Sequence, residues 1–120
     1  MDKKLDEFYD FLGEIKRRNL LVIVEGKKDR LALQTFGINN IVELSKKPLF
    51  EIVEYILSFN QECIILTDLD KKGRELYSKL SSDLQKHGIK IDNKFRYFLF
   101  RHTKLRQVEG VGNYLEKFNI

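Results

Sequence analysis

The stretch CIILTDLDKKGREL, residues 63–76, opens with an apolar run that no polar residue interrupts and closes with charges at helical spacing. An unbroken run such as CIILT, rich in β-branched side chains, is the pattern of a strand covered on both faces. From Lys72 to His87 the leucines recur at 76, 80 and 84, one face of a helix, and Gly88 supplies its C-terminal stop. A strand that runs straight into a helix is half of a βαβ unit, and such units build parallel sheets with helices on both sides. Two aspartates, Asp68 and Asp70, fall on the joint.

Upstream, LLVIV at 20–24 has the same unbroken apolar character. Glu25 and Gly26 follow it, and then KKDRLALQTFG, a helical pattern in which Leu31, Ala32, Thr35 and Phe36 face inward and Gly37 ends the helix. NIVEL (40–44) reads as a second strand. Pro48 stands at the first position of a third helix, whose Leu49, Ile52, Val53, Ile56 and Leu57 form a broad apolar face. Residues 3–18 place Leu5, Phe8, Leu12 and Ile15 at spacings of 3, 4 and 3, an amphipathic covering helix. KFRYFLF (94–100) reads as a fourth strand and GNYLEKF (112–118) as a short closing helix. The expected fold is α/β: a mostly parallel four-stranded sheet sandwiched between helices, with an N-terminal helix laid over it.

A chain of 120 residues suffices for one domain and not for two, so residues 1–120 are expected to form a single unit. Its core covers about 20–105, between an N-terminal helix (1–19) and a C-terminal extension (106–120). With 42% hydrophobic and 33% charged residues, the composition is that of a globular protein rather than a disordered one. No apolar stretch approaches the roughly 20 residues of a membrane helix, and MDKKLDEFYDF lacks the apolar core of a signal peptide. The expected location is the cytoplasm, with no membrane partner. Cys63, the one cysteine, lies in an apolar run and reads as a buried, inert thiol.

The net charge of +4 is unevenly spread. Residues 1–60 balance ten basic against ten acidic side chains, whereas residues 61–120 carry twelve against eight. Within KFRYFLFRHTKLR (94–106) there are five Lys/Arg, no acid, and interleaved aromatics, a stretch that a polyanion such as RNA or DNA could use.

In an open parallel sheet, ligands bind beyond the carboxyl ends of the strands. If the strands ending in VEGKKD and TDLDKKG are parallel neighbours, Glu25, Asp68 and Asp70 meet at one edge, with Leu69 turned into the protein. Three converging carboxylates repel one another unless a cation sits among them, and an oxygen-only set suits Mg²⁺ or Mn²⁺. Gly26 and Gly73 then support tight turns, Asp29 caps a helix start, and Lys27, Lys28, Arg30, Lys72 and Arg74 ring the acids. Arg101, His102 and Lys104, at the end of the expected fourth strand, add phosphate contacts on the same edge.

Through VIVEGKKDRLAL and IILTDLDKKGREL the chain resembles the Toprim domain family over roughly residues 20–105. That family is shared by DnaG-type primases, topoisomerases, OLD-type nucleases and the bacterial maturase of 5S ribosomal RNA. The resemblance implies a four-stranded parallel sheet, Glu25 as general acid/base and possible metal contact, and Asp68 and Asp70 as Mg²⁺ ligands. Gly26, Asp29 and Gly73 match the family's turn-supporting positions. The separate nucleophile, zinc-binding and RNA-binding regions of those larger enzymes have no counterpart here, so the expectation is a stand-alone small Toprim protein. The leading functional expectation is Mg²⁺-dependent phosphodiester chemistry on nucleic acid, most simply a nuclease. The alternative is a non-catalytic nucleic-acid or ribonucleoprotein binding module working with a protein partner. A phosphoacceptor receiver domain is disfavoured, because its acidic pair ends strand one and its lone aspartate ends strand three, the reverse of this chain.

Overall fold

A computed structural model describes residues 3–101. Eight elements follow one another: α1 (Lys3–Arg18), β1 (Leu21–Val24), α2 (Lys27–Thr35), β2 (Ile41–Glu43), α3 (Leu49–Phe59), β3 (Cys63–Leu66), α4 (Lys71–Lys86) and α5 (Lys94–Arg101). The sheet runs β2-β1-β3, and both pairings are parallel. Val24 is in register with Glu43 on one side and Leu66 on the other, so the carboxyl ends of all three strands form one edge.

Strand alternation divides the interior in two. Val22, Val24, Ile64 and Leu66 face a cluster made with Phe8, Leu12 and Ile15 of α1, Ala32 and Leu33 of α2, and Phe95, Phe98 and Leu99 of α5. Leu21, Ile23, Cys63 and Ile65 face Ile52, Val53 and Ile56 of α3 and Leu80 and Leu84 of α4. The result is three layers with helices on both faces, as the unbroken apolar strands require. Cys63 is fully buried, and burial pushes its thiol pKa up to about 11, so it stays protonated and inert at neutral pH.

The expected fourth strand is a helix. In α5 the buried Phe95, Phe98 and Leu99 recur at i, i+3 and i+4, while Lys94, Tyr97 and Arg101 are exposed. Asp92 Oδ1 accepts the Lys94 N–H at 2.9 Å and starts the helix. Its aromatic residues favour strands in isolation, but packing against Phe8 and Phe11 of α1 decides the outcome. What survives of a fourth strand lies just upstream: Ile91 makes a single parallel bridge to Cys63. The sheet therefore has three strands.

Smaller departures concern helix faces. Leu31 is 45% exposed, whereas Leu33 is wholly buried, so the inward face of α2 is Ala32–Leu33 rather than Leu31, Thr35 and Phe36, although Phe36 packs against the core edge. Pro48, with φ −57° and ψ 135°, is the N-cap residue of α3 and not its first helical residue. Gly37 and Gly88 sit beyond their helices at φ 84° and 83°, as expected of C-terminal stops. The expected closing helix at 112–118, and the extension 106–120 that contains it, lie outside the described residues. Among the described residues no helix is long and apolar enough to cross a membrane.

Candidate functional site

Because the strands are parallel and in register, the segments leaving their carboxyl ends emerge side by side: Glu25–Gly26 after β1, Leu44–Pro48 after β2, and Thr67–Asp70 after β3. Glu25 Oε1 accepts the backbone N–H of Asp68 at 2.9 Å, joining the two acidic motifs directly. Glu25 is half-buried. Burial raises its pKa above the ordinary carboxylate range; the Asp68 N–H works the other way, and the charges of Asp68, Asp70 and Asp29 push it further up. Glu25, Asp29 and Asp68 line one cavity of about 430 Å³. Asp29, in the first turn of α2, is only 8% exposed.

Asp70 occupies the N-cap of α4, where its Oδ1 accepts the Gly73 N–H at 2.7 Å. Leu69 does not point into the core as expected; it is half-buried and lines a shallow cleft with Asp70, Lys71 and Arg74. Gly73 is a packing glycine: a Cβ there would stand 2.1 Å from the Asp68 carbonyl oxygen. Its own carbonyl accepts the buried Thr67 hydroxyl at 2.7 Å, so the turn carrying both aspartates is folded back onto the start of α4. Gly26 is the extended N-cap residue of α2, at φ −148°, with open space where a Cβ would go.

The expected basic ring divides. Lys72 lines the acidic cavity. Lys27 and Lys28 are exposed in the first turn of α2. Arg30 is committed elsewhere, to Glu43 at 2.7 Å and Gln34 at 3.3 Å. Arg74 is exposed on α4, and Arg101 is exposed at the end of a helix rather than of a strand. His102 and Lys104 lie outside the described residues.

Two features escape a reading of the sequence. The first is Arg96, in the basic-aromatic stretch, which is only 4% exposed. Its Nη1 donates to the carbonyls of Ile65 (3.0 Å) and Thr67 (2.8 Å) at the end of β3, and approaches Thr67 Oγ1 at 3.4 Å. The guanidinium lies between the rings of Tyr77 (4.4 Å) and Phe100 (4.6 Å). Burial lowers its pKa to about 10, against the pull of the tyrosines, Asp68 and Glu25, and it remains charged at neutral pH. As a strand, residues 94–100 put Arg96 on an alternating face; as a helix they put it beside Leu99 and Phe100, against β3. The second is the β2–α3 loop, whose Lys46 and Lys47 line the same cavity as the acids. The legible signal was a lysine pair just past the carboxyl end of a parallel strand.

Among the described residues no three His, Cys, Asp or Glu side chains stand together as a ready-made metal cage. One oxygen of Glu25 is turned to the Asp68 N–H and one of Asp70 to the Gly73 N–H. The donor set still fits a hydrated Mg²⁺, which is held through one or two carboxylates and keeps most of its waters.

Comparison with known proteins agrees with this arrangement. Residues 22–98 match the Toprim-like family model. A UPF0292 protein of Pyrococcus horikoshii is 39% identical over 110 residues, covering 91% of this chain and 80% of that one. A UPF0292 protein of Methanosarcina barkeri is 35% identical over 123 residues, covering 98% and 85%. Among solved structures, a putative protein from Aquifex aeolicus superposes with a TM-score of 0.72 at 32% identity, covering 83% of this chain and 92% of that one. None of these names states a reaction. Family match, fold and acidic edge coincide, and with them comes the family's metal-binding, nucleic-acid-related character: the chain belongs to the Toprim-like family.

Proposed function

We propose that this protein cleaves phosphodiester bonds in RNA or DNA with the help of Mg²⁺, Glu25 serving as general acid/base and Asp68 and Asp70 holding the ion. The observation that carries the reading is the 2.9 Å hydrogen bond from the Asp68 N–H to Glu25, which brings the two acidic motifs to one point of the sheet edge. Mutual repulsion there, felt by Glu25 from Asp68, Asp70 and Asp29, is what a bound cation relieves. When bound, Mg²⁺ supplies neutralisation of the charge that develops on a scissile phosphate. A carboxyl whose pKa is raised exchanges a proton nearer to neutral pH, which suits Glu25 to proton transfer. Lys27, Lys28 and Lys72 are placed to fix phosphates without reading sequence.

The test is the pair Asp68→Asn with Asp70→Asn. Asparagine caps a helix as well as aspartate does, so the α4 N-terminus and the fold survive. The expected outcome is loss of Mg²⁺-dependent cleavage of labelled RNA and DNA, with unaltered circular dichroism and a Tm no lower than that of wild type. Cleavage at the wild-type rate would refute the assignment.

One observation favours a second reading, a binding module whose partner supplies catalysis: no closed three-ligand cage exists among the described residues. That reading expects RNA affinity that falls steeply with salt, and no product over hours in Mg²⁺ or Mn²⁺.

A further inference from the structure

We infer that the acidic cavity takes one unpaired nucleotide of a single-stranded nucleic acid, its phosphate on Lys46 and Lys47 of the β2–α3 loop and its base on Leu49 and Leu76. The inference rests on the phosphodiester reading above and adds to it the form of the substrate.

Three kinds of side chain line this cavity. Glu25 and Asp68 stand at the ends of β1 and β3; Lys46 and Lys47 stand past the end of β2, with Lys72 on α4; the half-buried Leu49 and Leu76 supply apolar surface. Each ion pair formed among the described residues uses an arginine, and none uses these lysines. Three ammonium groups therefore share a cavity with the carboxylates of Glu25, Asp29 and Asp68. The ligand that satisfies all three kinds of lining has an anionic group, an apolar face and a bond for the carboxylates to act on. A nucleotide unit has all three. The cavity's volume of about 430 Å³ lies in the range of small-ligand clefts, about 300–1,000 Å³. A base can lie on the leucines only when it is unstacked and unpaired, which excludes an intact duplex.

The loop is held in place rather than draped over the opening. Leu44 N–H donates to Val24 O at 2.9 Å, Ser45 N–H to Glu25 O at 3.1 Å, and Lys47 N–H to Leu44 O at 2.9 Å. The Ser45 hydroxyl donates to Glu43, which Arg30 holds from α2. Ser45 and Lys46 are consecutive non-glycine residues in the left-handed region, at φ 43° and 62°. Backbone held in so sparsely populated a conformation persists only where surrounding bonds over-determine it, and such segments gather at binding sites. Here one of the over-determining bonds ends on the Glu25 carbonyl, so the backbone that carries the lysines and the backbone that carries the acid are fixed with respect to one another.

Fluorescence anisotropy tests this with fluorescein-labelled oligouridylate, oligothymidylate and a mixed-sequence duplex, in Ca²⁺ to suppress turnover. Single strands are expected to bind about tenfold or more tightly than the duplex. Lys46→Asn with Lys47→Gln removes both charges at exposed positions, and asparagine tolerates the left-handed backbone. That variant is expected to lower the slope of log affinity against log salt by about 0.7, the value for one phosphate contact on a single strand. Leu49→Ala is expected to weaken single-strand binding with no change of slope. Equal affinity for strand and duplex, or an unchanged slope in the lysine variant, would overturn the inference. The two readings fail separately: if Asp68→Asn/Asp70→Asn loses cleavage while the lysine variant binds normally, only the cavity assignment falls. If the lysine variant loses single-strand affinity while the aspartate variant still cleaves, the cavity assignment stands and the metal assignment falls.

Discussion

Replacing Arg96 by methionine is the most informative single perturbation of the site, because it removes a charge buried beneath the acids and touches no residue that faces the cavity. Methionine keeps an unbranched apolar stem but ends short of the space between Tyr77 and Phe100, and it loses the donors to Ile65 O and Thr67 O. Hydrogen bonds from a charged donor are each worth about 1.5–3 kcal/mol net. Two of them, with some recovery from the apolar replacement, give an expected loss of about 3–5 kcal/mol. At about 4 °C per kcal/mol for a chain of this size, Tm falls by about 12–20 °C. Urea unfolding at constant m-value should report the same loss. Arg96→Lys separates charge from geometry: an ammonium keeps the charge but has no planar fork and stacks poorly between rings, so about half of the loss is expected. Asp68 directly follows Thr67, so the lost strut should also loosen the aspartate turn, read as weaker Mn²⁺ binding in the still-folded Arg96→Lys protein. If Arg96→Met costs under about 1 kcal/mol and Arg96→Lys behaves as wild type, the guanidinium is not what fixes the end of β3.

Two further outcomes follow from the same geometry. Glu25 has a raised pKa in the folded state, so folding binds protons more tightly there and wild-type stability falls as pH rises from the unfolded value, near 4.5, through the folded one. Glu25→Gln, which can still accept the Asp68 N–H, should match wild type below that window and be the more stable protein above it; Tm profiles in which wild type gains on the variant with rising pH would reverse the assigned cause. Gly73→Ala would drive a Cβ to 2.1 Å from the Asp68 carbonyl oxygen, which forces the aspartate turn off α4 and should cost at least ~1–3 kcal/mol; a Tm within experimental error of wild type would show that the turn has room to move.

Much of this architecture could be read from the chain alone, and the part that could not was hidden for two separate physical reasons. Where a segment's hydrophobic period is unambiguous, as in the unbroken LVIV and CIIL runs or the Phe8, Leu12 and Ile15 stripe, sequence and fold agree, because burial on two faces or one leaves a distinct signature. Glu25 and Asp68 could be brought together on the same grounds: parallel strands in register deliver their carboxyl ends to one edge. KFRYFLF carries both signatures at once. Its aromatics satisfy a strand, its Phe95, Phe98 and Leu99 satisfy a helix, and only contact with α1 and β3 chooses between them. The choice reaches the site, since it converts Arg96 from one more surface cation into the buried donor that holds the carbonyls preceding Asp68. Lys46 and Lys47 stayed hidden for a different reason: their role depends on a left-handed backbone pair that no side chain advertises, and on β2 lying beside β1 so that the loop closes on Glu25. What one strand carries, the acids, is written locally in the chain; what positions them is written only in the pairing of segments distant in sequence.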